Sequence, residues 1–342
     1  MRKLSAVSII GIIVMSLVMT FPQSLAQSLA VTVTTDKSSY TYREKVTVKG
    51  NLTLDGTPVD GFVGIEVNSL NPTFSNFTHF VTRTATIGNP YLGNYNITIV
   101  SLATTDTLTP PKLKTTFKKG ETIGVNVTVQ NSFTFNQLVV VTIMICDNDS
   151  SPITSQVEYA FVTLGGRGNA TIHKTLTIQT WVSTGNAKVY ANVYSGWPSL
   201  RGHPWCSEKS AGIIINPATS GSSETSQQSS SSNLQTADSQ NAYTLSFRLP
   251  PFAPQGNYAV NSTAFAQGFI ANSTTTFNRP YQIVGDINFD RLINIIDLVA
   301  VTAIYGAKSG DSNWNPVVDV QPSGKIDITD VVTVTGKYGT HY

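Results

Sequence analysis

The chain has 342 residues, a formal net charge of +2 and only 12% charged residues. Its Lys and Arg residues are scattered along the sequence rather than clustered, which argues against nucleic-acid binding. The length accommodates two or three domains, each with a core of its own.

The first residues, MRKLSAVSIIGIIVMSLVMTFPQSLAQS, place Arg2 and Lys3 before an apolar stretch from about Val7 to Met19, followed by the small-residue site Ser24-Leu25-Ala26. That order predicts a secretory signal peptide over residues 1–26. The alternative is an uncleaved anchor, because the stretch is near the short limit for a bilayer. No second stretch of that kind follows, so the expected product is extracellular, secreted or held at the cell surface, with no membrane span once the signal is removed. Export permits a disulfide between the two cysteines, Cys146 and Cys206. Two free thiols are the alternative. A zinc site with His203 falls short of four ligands.

From residue 29 onward the sequence is rich in Thr, Val, Ser, Asn and Tyr, with short period-two alternation broken by Gly, Pro, Asn and Asp, which predicts antiparallel β-sandwiches. In KVTVKGNLTL, Val46, Val48, Leu52 and Leu54 alternate with polar neighbours, and Asp55-Gly56 supplies a turn. A first sandwich is expected over 29–102, closing with Asn96–Val100. Aligning Glu44 with Glu121 puts Tyr40 on Phe117, Val46 on Ile123 and Val48 on Val125, so a second sandwich is expected over 103–216. Its strands should include Leu138–Ile145, Ala170–Ile178 and Ala187–Tyr194. Residues 217–241 are Ser-rich with one large apolar residue, Leu234, and read as a flexible segment. The β-like runs of 242–283 are expected to complete or dock on the second sandwich, a small separate domain being the alternative. Asn-x-Ser/Thr sequons at Asn51, Asn76, Asn96, Asn126, Asn148, Asn169, Asn261 and Asn272 are candidate glycosylation sites in an exported chain.

The stretch DKSSYTYREKVTVKGNLTLDGTPVDG resembles the Ig-like domains of the macroglobulin type, with Arg43 where that pattern usually carries Gly. The resemblance implies a spacer or adhesive architecture. The Gly-Cys-Gly-Glu-Gln thioester motif is missing, which excludes covalent trapping.

Residues 285–306, GDINFDRLINIIDLVAVTAIYG, superpose without a gap on residues 318–339, VDVQPSGKIDITDVVTVTGKYG, 33 positions later. Asp286 falls on Asp319, Asp297 on Asp330, Ile293 on Ile326, Val301 on Val334 and Tyr305 on Tyr338. Calcium wants six to eight oxygens, and a twelve-residue loop offers them at positions 1, 3, 5, 7, 9 and 12. The first copy places Asp286, Asn288, Asp290, Leu292 (through its carbonyl), Asn294 and Asp297 in that frame. The second places Asp319, Gln321, Ser323, Lys325 (through its carbonyl), Asp327 and Asp330 there. Both loops close with Asp, and Pro280 and Pro316 disfavour a helix before either one. A calcium loop followed by one helix, repeated, resembles the type I dockerin module.

The resemblance covers 284–342 and implies two Ca2+ ions, helices over the β-branched runs Leu298–Tyr305 and Val331–Tyr338, and a cohesin-like protein partner. It also implies partner contact at positions 10 and 11, here Ile295-Ile296 and Ile328-Thr329, for which core packing is the alternative, and along the helix after each loop. Two departures weaken the frame: Arg291 stands at position 6, where Gly eases the turn, and Gln321 and Ser323 replace the usual Asn or Asp. The expected fold class is therefore mostly β, two Ig-like antiparallel sandwiches plus a small helical dockerin.

Dockerins commonly tether polysaccharide-degrading enzymes, but the sandwich region offers little catalytic material. Asp60, Glu66 and Glu158 are isolated acids rather than a facing pair. His79, His173 and His203 fall in no metal-protease frame, and no G-x-S-x-G elbow is present. The aromatic group Trp181, Tyr190, Tyr194, Trp197 and Trp205 is either a sugar-stacking platform, if exposed together, or core.

Overall fold

A computed structural model of the chain describes residues 27–341 apart from 42–43, 72–78, 91–95, 180–181, 218–241, 251–252, 281–282 and 289. The signal-like segment, Arg43, Asn76, Trp181 and all of the Ser-rich segment except Pro217 lie outside the described residues. The protein is mostly β, built as two antiparallel sandwiches and a small C-terminal unit. Among the described residues no helix is long and apolar enough to cross a membrane.

In the first sandwich, one sheet is organised around β3 (Lys45–Leu54), which pairs with β1 (Leu29–Val31), β2 (Thr34–Thr35), β4 (Thr57–Pro58) and β15 (Ala242–Arg248). Its other sheet runs β17 (Phe269–Arg279), β16 (Gly256–Ala266), β5 (Gly61–Ser69), β6 (His79–Ile87). The second sandwich packs β12 (Asn169–Thr177), β9 (Thr122–Asn131) and β7 (Ile97–Thr105) against a sheet ordered β11 (Glu158–Leu164), β10 (Gln137–Cys146), β13 (Gly185–Tyr194), β14 (Lys209–Asn216), β8 (Thr116–Lys118). Among these described strands, β8 alone joins its neighbour in parallel.

Two expected domain boundaries are corrected. Strand β7, expected to close the first sandwich, pairs with β9 along its length and belongs to the second. The strands from residue 242 onward complete the first sandwich instead of the second: Ala242–Arg248 pair with Asn51–Lys45, and Tyr258–Phe265 pair with Ser69–Phe62. The first sandwich is therefore discontinuous in sequence, and the second is inserted into it. The alignment of the two domain starts nonetheless corresponds to a shared local structure. Tyr40 and Phe117 are both fully buried. Glu44 accepts from the Thr41 amide and pairs with Lys37, while Glu121 accepts from the Lys118 amide and pairs with Lys114.

The strands that read as unbroken apolar runs are those buried on both faces. In β10, Val139, Val141, Ile143 and Ile145 enter the second core, whereas Met144 and Cys146 enter the first. In β5, Val63, Ile65 and Val67 enter the first core while Phe62, Gly64 and Glu66 face the second sandwich. Gly64 is required there, since a Cβ on it would stand 2.6 Å from the Tyr194 ring. The interface is polar and largely paired, with Asn192 Oδ1, His203 Nε2 and Trp205 Nε1 left without a hydrogen-bond partner among the described residues. Thr82 donates to Thr142 at 2.9 Å, Tyr194 Oη donates to the Arg83 carbonyl at 3.0 Å, and the Ser199 amide donates to Glu66 at 2.7 Å. At its centre Arg83 grips Glu208 through Nε and Nη2, and its guanidinium lies 3.8 Å from the Tyr190 ring centroid.

The expected disulfide is corrected as well: Cys146 and Cys206 are both free and buried. Strand parity separates them, because Cys146 points into the first core while Cys206 belongs to the second. Burial pushes both thiols up to about 12, keeping them protonated.

Removing one partner of the buried Arg83–Glu208 pair leaves the other charge uncompensated. Glu208→Ala is expected to cost about 3–5 kcal/mol of stability, read as a lower urea midpoint for the two sandwiches unfolding together. A loss below about 1 kcal/mol, the range of an exposed pair, would contradict this description of the interface.

Candidate cation loops in the C-terminal unit

The last segment has a core of its own, made by Ile287, Ile293, Val301, Ala307, Val318, Val320, Ile326 and Val334. Two helices flank it, α1 (Ile295–Ala303) and α2 (Ile328–Thr335). Both begin three residues before the expected starts at Leu298 and Val331. The reason is a capping box in each loop. Asn294 caps α1 with Asp297 at the third position, and Asp327 caps α2 with Asp330 at the third position. These caps, together with packing on the shared core, offset the weak helix propensity of IIDLVAVTA and ITDVVTVT. Among the described residues no helix runs directly into either loop.

The sequence repeat is a structural repeat. The Ile293 amide donates to the Thr340 carbonyl and the Gly339 amide to the Ile293 carbonyl. Thirty-three positions on, the Ile326 amide donates to the Ala307 carbonyl and the Gly306 amide to the Ile326 carbonyl. Each copy is thus clasped by the end of the other. The degree of burial agrees at every position from 293–306 to 326–339.

The loops repeat their carboxylate geometry in the same way. Asp286, Asp297, Asp319 and Asp330 are fully buried. At position 1, Asp286 accepts from the amide of Arg291 at 3.1 Å and Asp319 from the amide of Gly324 at 3.0 Å. At position 12, Asp297 accepts from the amides of Asn288 and Asn294, and Asp330 from those of Gln321 and Asp327. No Lys or Arg pairs with Asp297 or Asp330 among the described residues. Burial raises the Asp330 carboxyl above its ordinary range.

The remaining frame residues turn toward local hydrogen bonds. Asp290 is exposed, accepts from the Asn288 and Asn294 side chains and the Leu292 amide, and is held below the usual carboxylate range, first by Asn288. Asn294 Oδ1 accepts from the Ile296 amide at 2.7 Å. Ser323 Oγ donates to the Lys325 carbonyl at 2.9 Å, and Asp327 accepts from Thr329, which lowers its carboxyl. Gln321 is exposed. Accordingly no three His, Cys, Asp or Glu side chains converge at coordination spacing among the described residues. In each loop the first and last carboxylates are both buried and both accept from amides of the same loop. Carboxylate, amide and carbonyl oxygens are the donor types that a hard divalent cation takes.

Position 6 is left-handed in both loops, with φ +71° at Arg291 and +80° at Gly324. Arg291 carries the strain that Gly324 avoids. The four expected partner positions are not core: Ile295, Ile296 and Ile328 are 55%, 55% and 58% exposed, and Thr329 is exposed too. Val299 and Val332, and Tyr305 and Tyr338, extend the two stripes at equivalent positions. The sequence repeat pairs Tyr305 with Tyr338, whereas Val299 and Val332 were not named from it.

The other candidate sites dissolve into packing. Trp197 is 6% exposed and stacks on His79 at 3.5 Å, Tyr194 is fully buried, and Tyr190 and Trp205 are partly buried against the cores. Of the two readings for this aromatic group, its described members follow core packing and not the sugar platform. His203 is packed against Trp205 and Phe265, its Nδ1 is 3.0 Å from Ser195 Oγ, and burial lowers it to about 4.

No family model matches the chain, and no curated protein matches it. Solved structures share partial likeness. The C-terminal domain of Wzt is 14% identical over 40% of this chain and 86% of that one, with a TM-score of 0.30. The alkylpurine DNA glycosylase AlkC of Pseudomonas fluorescens bound to DNA is 17% identical over 35% of this chain and 30% of that one, with a TM-score of 0.25. The β-glucosidase of Listeria innocua in complex with isofagomine is 15% identical over 35% of this chain and 16% of that one, with a TM-score of 0.24. Likeness at this level assigns neither family nor ligand.

The two sixth positions make a paired test. Gly324→Ala is expected to cost about 1–2 kcal/mol, since the left-handed backbone disfavours a Cβ, which itself would meet Ser183 Cα at 3.2 Å. Arg291→Gly should cost nothing. Hydrogen exchange at the Ile293 and Ile326 amides reads both, and equal loss of protection in the two variants would contradict the assignment.

Proposed function

We propose that this chain is an exported, calcium-dependent docking protein whose C-terminal unit is a dockerin-type module for a cohesin-like partner. The observation that carries the reading is the repetition of two buried carboxylates per loop beneath an exposed apolar stripe. The repeat keeps both features that such a module needs, a cation frame and a contact surface.

Asp286, Asn288, Asp290, Leu292, Asn294 and Asp297 would hold one Ca2+, and Asp319, Gln321, Ser323, Lys325, Asp327 and Asp330 a second. Bound calcium supplies positive charge to buried carboxylates and a fixed geometry to the loop. The chain does the rest. Asp297 and Asp330 are at once loop-closing residues and the third-position members of the capping boxes, so the order of each loop sets the start of its helix. The helix then presents Ile295, Ile296 and Val299, or Ile328, Thr329 and Val332, to a partner. Such a stripe on a small helical surface matches the apolar centre of a protein interface.

The two sandwiches serve as a rigid spacer that holds the module at the cell surface or in an extracellular assembly, including one that degrades polysaccharide. Burial of Trp197 disfavours the alternative of a carbohydrate-binding module centred on that group.

Binding of the full chain to a panel of type I cohesin modules, by calorimetry with calcium and with chelator, tests the proposal. Binding should require calcium, and Val299→Asp with Val332→Asp should weaken it by more than about 100-fold, as loss of apolar anchors does. Binding that survives the chelator or the double substitution, or no binding by any cohesin at saturating calcium, would overturn the reading.

A further inference from the structure

The two loops are equivalent in sequence frame but not in surroundings. Positions 5 and 6 of the first loop, Asp290 and Arg291, are exposed. In the second loop the same positions are covered by the second sandwich. Lys119 Nζ donates to the Ser323 carbonyl at 2.6 Å, and Gly324 lies against Ser183. The Gly324 carbonyl in turn accepts from the amide of Ser309, whose hydroxyl donates to Asp149 at 3.1 Å. Trp314 Nε1 donates to the same Asp149 oxygen at 3.0 Å, and Ser183 Oγ donates to its other oxygen at 2.6 Å. The C-terminal unit is seated on the second sandwich, and the seat includes the second cation loop.

A lysine ammonium directly on the backbone of a cation loop has a definite electrostatic sign. It repels a divalent ion held by Asp319 and Asp330, and the repulsion is weakly screened where the loop is buried. We propose that Lys119, a residue of the second sandwich, sets the cation affinity of the second loop, so that cation binding there and seating of the C-terminal unit oppose each other. This rests on the calcium-loop reading given above. Linkage makes the effect reciprocal: loosening the seat strengthens cation binding, and cation binding loosens the seat. The first loop, clear of the sandwich, is the tighter site despite Arg291.

Calcium calorimetry on the full chain tests this with three variants. Lys119→Met is expected to strengthen the weaker of two calcium equilibria about tenfold, the size of a nearby unit charge at a partly screened site. Lys119→Arg, which keeps the charge, should leave it at the wild-type value. Trp314→Phe removes a seat hydrogen bond without changing any charge, and should strengthen the same equilibrium by about threefold or more. Two calcium equilibria that stay unchanged in Lys119→Met or in Trp314→Phe would overturn the proposal while leaving the calcium reading intact. No calcium heat in any variant would overturn both.

Discussion

Burying a carboxylate is among the most expensive things a small domain can do, and the C-terminal unit does it at Asp286, Asp297, Asp319 and Asp330. Backbone amides meet part of that cost, and they do so in the same pattern in both loops. The arrangement organises everything near it. The closing aspartates complete the capping boxes, the boxes set where the helices start, and the helix starts decide which apolar residues are left outside the core. A core of eight apolar side chains is small for independent stability, so the ionic requirement and the packing requirement are coupled.

The sandwiches solve a different problem. With the second domain inserted into the first, two sheets must pack face to face while each still serves its own core. Strands β5 and β10 answer with side chains that are buried on both sides. The layer between the domains carries Thr82, Thr142, Tyr194 and the Arg83–Glu208 pair, each with a named partner. Directional pairs of this kind favour one relative orientation of the two domains. It gives the C-terminal unit a firm base at Asp149.

Much of this architecture was legible in the sequence, for identifiable reasons. Period-two alternation in KVTVKGNLTL located β3 because one of its faces is buried and the other is not. The 33-residue repeat was legible because each of its copies is contiguous in sequence. What was not legible was nonlocal. Alternation says that Ala242–Arg248 is a strand but not that its neighbour is β3, and the same blindness assigned β7 to the wrong domain. Cys146 and Cys206 looked pairable until the parity of β10 turned Cys146 into the other core. The starts of α1 and α2 were displaced because the β-branched composition hid the capping boxes. The seat formed by Lys119, Asp149, Ser309 and Trp314 has no motif, being assembled from residues far apart in the chain.

The central claim is that the buried aspartates exist to hold metal ions, and the most direct measurement is calcium content per chain. Full-length protein dialysed against micromolar calcium and analysed by elemental mass spectrometry is predicted to retain two calcium ions per chain, falling to one in Asp297→Asn. Protein that retains none, or the same amount with and without Asp297, would contradict the account and leave the four carboxylates as features of packing alone.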